Sequence, residues 1–147
     1  MSARPHKNKN PERAFLRILD ANYNRAKEAF RVSEDLVRFL MDEKALTSEF
    51  KSCRHSLTRI FLRFPVSYKK LLESRRSASD VGREGWIKDK SGKVKWQDLL
   101  SANLKRAQEA LRVLEEISKA VAPASSPHFQ KLRFRTYELE RKTLQKL

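Results

Sequence analysis

The sequence predicts an all-α fold: a helical bundle of four main helices formed by internal duplication of a helix pair. Three observations predict it. Glycine occurs only at Gly82, Gly85 and Gly92, so the rest of the chain lacks the residue that sheet proteins need at their turns. That rest is rich in Leu, Ala, Arg, Lys and Glu, which are among the best helix formers. Finally, Asp20–Asp35 aligns without gaps on Ser101–Glu116.

The aligned identities are Ala21/Ala102, Asn22/Asn103, Arg25/Arg106, Ala26/Ala107, Glu28/Glu109, Ala29/Ala110, Arg31/Arg112, Val32/Val113 and Glu34/Glu115. Helical composition alone yields chance matches of Ala and Glu, but not an Asn and two Arg in register. A weaker match follows, at a slightly different offset: Phe50-Lys-Ser-Cys-Arg54 and Phe129-Gln-Lys-Leu-Arg133. Each copy therefore reads as a long helix followed by a second one. The four are expected at about 12–41, 45–64, 98–121 and 126–146, from apolar period and proline positions. Pro65 ends the second, with a short turn of helix at Ser67–Ser74. The expected organisation is a basic disordered tail at 1–10 and one domain at 11–147. Its halves are about 12–74 and 98–147, joined by a linker at 75–97. The alternation of Trp86–Trp96 around Ser91-Gly92 suggests a short hairpin in that linker.

The formal net charge is +15, of which Arg4, Lys7, Lys9, Arg13 and Glu12 leave only +3 at the N-terminus. A field of that sign attracts anions: nucleic acid, a membrane surface or phosphorylated small molecules. For a single basic residue, a solvated surface cation is the simpler reading. No apolar run reaches the length of a membrane span. Cys53 stands alone, so no intrachain disulfide forms, and the N-terminus lacks the apolar core of a secretory signal. The expected location is cytoplasmic. Phosphate-loop, dinucleotide-loop and di-iron spacings do not occur, and His6, His55 and His128 read as surface or packing residues. Cys53 reads as core.

The helical period sorts the repeated residues. Phe15, Leu19, Asn22, Ala26, Ala29, Ser33, Leu36, Val37 and Leu40 fall on one face of the first helix. Leu99, Asn103, Ala107, Ala110, Leu114, Ile117 and Val121 fall on one face of the third. Asn22 and Asn103 thus interrupt apolar stripes, where an unpartnered amide costs a few kcal/mol. Two readings stay open: a core hydrogen bond or register device, and a ligand contact. Arg25, Arg106, Arg54 and Arg133 flank apolar faces, where arginine either snorkels or meets an anion. Glu28, Arg31 and Glu34, and their second-copy counterparts, are spaced for helical ion pairs. The alanines permit close helix approach, in a bundle whose halves are related by a pseudo-twofold axis, gathering Asn, Arg and Glu from both copies.

The repeated Asp/Ser-Ala-Asn-x-x-Arg-Ala-x-Glu-Ala-x-Arg-Val-x-Glu-Asp/Glu, with Ser74-Arg75…Asp80-Val81-Gly82 and Leu132-Arg133-Phe134-Arg135, resembles the helical domain often fused ahead of thiamine-phosphate synthase in bacteria. The resemblance covers about Arg13 to Leu144. It implies the pyrimidine branch of thiamine biosynthesis: a kinase that converts hydroxymethylpyrimidine phosphate to its diphosphate, with ATP as co-substrate and Mg²⁺ as cofactor. It also implies a thiamine-phosphate synthase as partner. Where this chain has Ala29, the family often has glycine, and the extra methyl narrows an inward-facing pocket. The chain carries no synthase barrel, so synthase chemistry is not expected of it.

Phosphoryl transfer asks a protein mainly for positioning and positive charge. On this reading Asn22, Arg25, Arg31, Arg54, Asn103, Arg106, Arg112 and Arg133 bind substrate and phosphate. Asp80, Glu28 and Glu109 are catalytic, and Glu34 and Glu115 hold Mg²⁺. One site per chain is expected, using both copies and closed by the 74–97 segment, where Gly82 and Gly85 let the backbone approach a ligand. Two alternatives stand: a non-catalytic domain that holds a phosphorylated ligand or a partner of the same pathway, and a nucleic-acid-binding helical protein. Basic residues interspersed with Glu along the whole chain weigh against nucleic acid. A homo-oligomer stays open.

Overall fold

The computed structural model describes residues 10–83 and 92–147. Five α-helices run α1 Pro11–Leu36, α2 Lys44–Leu62, α3 Tyr68–Ser74, α4 Trp96–Val121 and α5 Ser126–Leu144, with no strand among the described residues. The hairpin expected around Ser91-Gly92 falls largely on residues outside that description; Trp96 opens α4.

Local chemistry sets the helix ends. Asn10 caps α1 by accepting from the Arg13 N–H, with Pro11 in the first turn. α1 widens into a π-helical turn at Val37–Met41 and stops at Asp42, whose φ of 52° is left-handed. Ser67 caps α3, placing Pro65 in the connection after α2. Pro123–Ser125 forms a 3-10 turn into α5.

α1 and α4 make the most extensive contact; α2 packs on α1, α5 on α4, and α2 on α5. Lys142 with Glu49 and Lys146 with Glu43 run α2 against α5, while Lys105 with Glu140 runs α4 against α5. Successive neighbours around this ring are antiparallel. Two alanines from each long helix, Ala26, Ala29, Ala107 and Ala110, lie buried where α1 meets α4. Phe30, Phe50, Leu57, Leu104, Leu111 and Phe129 fill the interior. Cys53 is fully buried among them, and burial pushes its thiol up to about 11.

The buried stripes are wider than the sequence period alone suggests, because each long helix has two partners. Leu16 is buried where Phe15 is half-buried; Leu100 and Leu104 are buried where Leu99 is exposed. Leu40, expected on the same face, lies in the π-turn and is exposed.

Each long helix is tied to the helix that follows it by one buried ion pair. Arg54 Nε donates to Glu34 Oε2 at 3.0 Å, and Arg133 Nε to Glu115 Oε2 at 2.7 Å. The second is the drier: both side chains are under a tenth exposed. Arg133 also donates to the Tyr137 hydroxyl at 3.1 Å and lies over the rings of Phe134 and Tyr137. The bond to Glu115 raises the guanidinium's pKa further above its ordinary value.

Arg133→Ala leaves the buried Glu115 carboxylate with only the exposed Arg112 at 3.6 Å, and losing a buried partner costs up to about 3–5 kcal/mol. Urea unfolding is expected to show that drop for Arg133→Ala and a smaller one for Arg54→Ala, whose pair is more exposed. Equal, negligible shifts would mean the pairs do not hold the helix pairs together.

Candidate functional site

The repeated polar residues separate into two sets. Glu34, Arg54, Glu115 and Arg133 are consumed by the ion pairs between helices. Arg31 and Arg112 sit on the outer side of the same carboxylates, at 4.0 and 3.6 Å, and are more than half exposed. These six residues lie outside the groove formed by the other set.

Asn22, Arg25, Glu28, Asn103, Arg106 and Glu109 line that groove, on the α1–α4 face turned away from α2 and α5. Its volume is about 570 Å³; Ala29 and Ala110 form the buried floor, and Val32 and Val113 complete it. Asn22 Nδ2 donates to the Ile18 carbonyl at 2.9 Å, and Asn103 Nδ2 to the Leu99 carbonyl at 2.8 Å. Each amide thereby satisfies one donor on its own helix, which explains how it survives in an apolar stripe. Arg25 donates to Asn22 Oδ1 at 3.5 Å. Among the described residues Arg25, Arg106, Glu28 and Glu109 form no salt bridge, and all four are exposed. Two guanidiniums and two carboxylates therefore face solvent across the groove. Ala29 and Ala110, aligned in the repeat, are both 3% exposed in this floor.

A second concavity of about 670 Å³ adjoins the first and shares Asn22 and Arg25 with it. Its outer wall is the segment after α3, with Arg75, Arg76, Ser77 and Asp80. This segment is anchored by an interaction that the repeat comparison passes over. Arg75 donates from Nε to Asp20 Oδ2 at 2.5 Å and from Nη2 to Asp20 Oδ1 at 2.9 Å. Asp20 is only 4% exposed and also accepts from Asn24 at 3.3 Å. The carboxylate raises the already high pKa of the Arg75 guanidinium. The residue aligned with Asp20 is Ser101, which cannot form that fork. The segment directly after α3 consequently docks on α1.

Asp80 stands at the far end of this wall, with Oδ2 3.9 Å from Arg17 Nη2 and Oδ1 accepting from the Gly82 N–H at 2.8 Å. A Cβ at Gly82 would come within 3.2 Å of that oxygen, so glycine keeps this turn tight. Gly85, which the sequence reading paired with Gly82, lies outside the described residues. Arg17, Asp20, Arg75 and Arg76 were not singled out from sequence as site residues, because the repeat marks only what recurs. The run Ser74-Arg75-Arg76 carried the available signal.

The donor set suits one kind of metal site. Among the described residues no three His, Cys, Asp or Glu side chains come together as a cage. Glu28 and Glu109 offer two carboxylates without cation partners, the number by which Mg²⁺ is commonly held when phosphate oxygens and water complete its shell. The carboxylates of Glu34 and Glu115 are instead occupied by guanidiniums. No helix among the described residues is long and apolar enough to cross a membrane.

Comparison with known proteins agrees on one family. The ThiD2 family matches residues 17–142. A thiamine-phosphate synthase of Synechocystis sp. is 39% identical over 127 residues, which are 86% of this chain and 35% of that protein. Thiamine-phosphate synthases of Prochlorococcus marinus and Rhodopirellula baltica are each 34% identical, over 89% and 85% of this chain and 36% and 33% of theirs. The chain thus spans about a third of the length of these relatives. No solved structure matches.

If the Asp20–Arg75 fork holds the wall of the second concavity, Arg75→Ala releases it. Amide hydrogen exchange at residues 75–83 is expected to speed up strongly while α4 and α5 keep their protection. Unchanged exchange at Gly82 would show that the wall is held by something else.

Proposed function

The chain belongs to the ThiD2 family, and on that premise we propose that it is the kinase of the pyrimidine branch of thiamine biosynthesis, phosphorylating hydroxymethylpyrimidine phosphate to its diphosphate with ATP. The observation that carries this reading is the α1–α4 groove, where Asn22, Arg25, Glu28, Asn103, Arg106 and Glu109 are brought together without ion-pair partners. The two adjoining concavities have the size of small-molecule sites. We further propose that the halves arose by duplication of one helix pair. Their corresponding ion pairs and corresponding asparagine bonds support this.

In this mechanism a phosphate oxygen of the acceptor attacks the terminal phosphorus of ATP, a new P–O–P linkage forms, and the bond to the β-phosphate oxygen breaks to release ADP. Negative charge spreads over the transferred group and the leaving oxygen. Arg25 and Arg106 approach from opposite walls and stabilise that charge. Arg17, Arg75 and Arg76 extend the positive surface along the second concavity. Asn22 and Asn103 present amide groups suited to a pyrimidine edge. Glu28 and Glu109 would hold Mg²⁺, which would supply charge neutralisation at the phosphates. Asp80 lies at the rim, half exposed, where it helps close the site.

The length relationship favours a second reading: a chain spanning a third of thiamine-phosphate synthases also suits a domain that holds a phosphorylated intermediate for a synthase partner without converting it.

Phosphorus NMR of the chain with ATP, Mg²⁺ and hydroxymethylpyrimidine phosphate separates the two. The kinase reading expects diphosphate product. It expects Arg25→Ala and Arg106→Ala each to lower kcat/KM by about tenfold or more, with Arg25 the worse because it serves both concavities. Asp80→Ala is expected to cut turnover while the thermal midpoint stays nearly constant. Binding without product supports the holding domain. An Asp80→Ala protein that unfolds, with its folded fraction fully active, contradicts the assignment of Asp80.

A further inference from the structure

A second concentration of positive charge lies outside the groove, on the α2–α5 layer. A cavity of about 530 Å³ opens between the C-terminal half of α2 and the N-terminal half of α5. Arg59, Arg63, Lys131 and Arg135 line it, and no carboxylate does. Among the described residues none of the four forms a salt bridge; Arg59 donates to the Ser56 hydroxyl at 3.0 Å. In contrast, the lining of the α1–α4 groove has two glutamates as well as two arginines, and that of the adjoining concavity includes Asp20 and Asp80.

Four like charges around one concavity repel each other, and an anion among them relieves that repulsion. The floor is different in kind: Ile60 and Leu132 are apolar, and both are partly or fully withdrawn from solvent. The first turn of α5, at the cavity mouth, has no acidic residue and no side-chain cap, so nothing there opposes a negative charge. A bare phosphate would leave the floor uncovered; a purely apolar molecule would leave the cations unpaired.

We propose that this cavity is a second ligand site, one that takes a small organic phosphate: a phosphoryl group among Arg59, Arg63, Lys131 and Arg135, and an apolar or aromatic body over Ile60 and Leu132. It stands on different residues from the groove and does not depend on the kinase reading. Binding there would act on the α2–α5 contact, and so on how firmly each half is held to the other.

The test is a proton–nitrogen NMR titration of the full chain, at constant ionic strength, with inorganic phosphate and with phenyl phosphate. Saturable shifts are expected at the amides of Ile60, His128 and Leu132, with phenyl phosphate binding several-fold tighter because of the floor. Arg59→Gln combined with Arg135→Gln is expected to weaken phenyl phosphate by about a hundredfold, roughly tenfold for each lost charge-assisted contact. Lys51→Gln, which removes one exposed charge elsewhere on α2, is expected to shift affinity by no more than about twofold. If the double variant does not fold, Arg63→Gln and Lys131→Gln, at exposed positions, serve in its place. Without ligand, removing a cation here is expected to leave the thermal midpoint unchanged or higher. Shifts that never saturate, or that respond equally to Lys51→Gln, overturn the proposal. Saturable shifts confined to Asn22 and Asn103 also overturn it, while leaving the groove's function intact.

Discussion

Two buried carboxylate–guanidinium contacts decide what the rest of this molecule can present. Glu34 and Glu115 each lie under a tenth exposed and would be intolerable as isolated charges. Arg54 and Arg133, from the helices that follow, neutralise them. Once that is arranged, α2 is fixed to one side of α1 and α5 to the same side of α4. Among the described residues, neither α2 nor α5 lines the opposite side of the α1–α4 pair. Close approach of the two long helices over Ala26, Ala29, Ala107 and Ala110 then sets Asn22, Arg25 and Glu28 across from their second-copy counterparts. The groove is thus a consequence of where the paired charges went.

Symmetry alone would make the two ends of that groove equivalent. They are not, because Asp20 has no acidic counterpart in the second copy. Its fork with Arg75 brings the segment after α3 down on α1 and extends the groove by a second, more basic concavity. A buried aspartate paired with an arginine 55 positions later in sequence is an expensive contact to form by chance, since its halves come from different elements. Among the described residues the two ends of the frame are therefore unlike: the first half carries the added wall with Arg75, Arg76 and Asp80, and the second carries no counterpart of it.

Much of this was legible in the sequence. The period of apolar residues, the scarcity of glycine and the prolines place the helix boundaries close to those observed, and the repeat identifies all six groove residues. What was not legible is how the repeated charges divide. Glu28 and Glu34 look alike in the repeat, yet one faces solvent across the groove and the other faces Arg54. The difference rests on which side α2 packs, a tertiary fact that spacing along α1 does not encode. Asp20 and Arg75 escaped for a related reason: comparison of two copies rewards identity, and this pair exists in one copy only. The cations of the α2–α5 cavity are spread over two helices far apart in sequence, and nothing local shows that they converge.

The repeated polar residues divide into a set held in ion pairs between helices and a set that lines the α1–α4 groove. A crystal structure of the chain with ATP, Mg²⁺ and hydroxymethylpyrimidine phosphate tests that division most directly. The account predicts phosphate oxygens within hydrogen-bond distance of Arg25 and Arg106, with the Glu34–Arg54 and Glu115–Arg133 pairs intact. Phosphate bound by Arg54 or Arg133, with either pair opened, would contradict it.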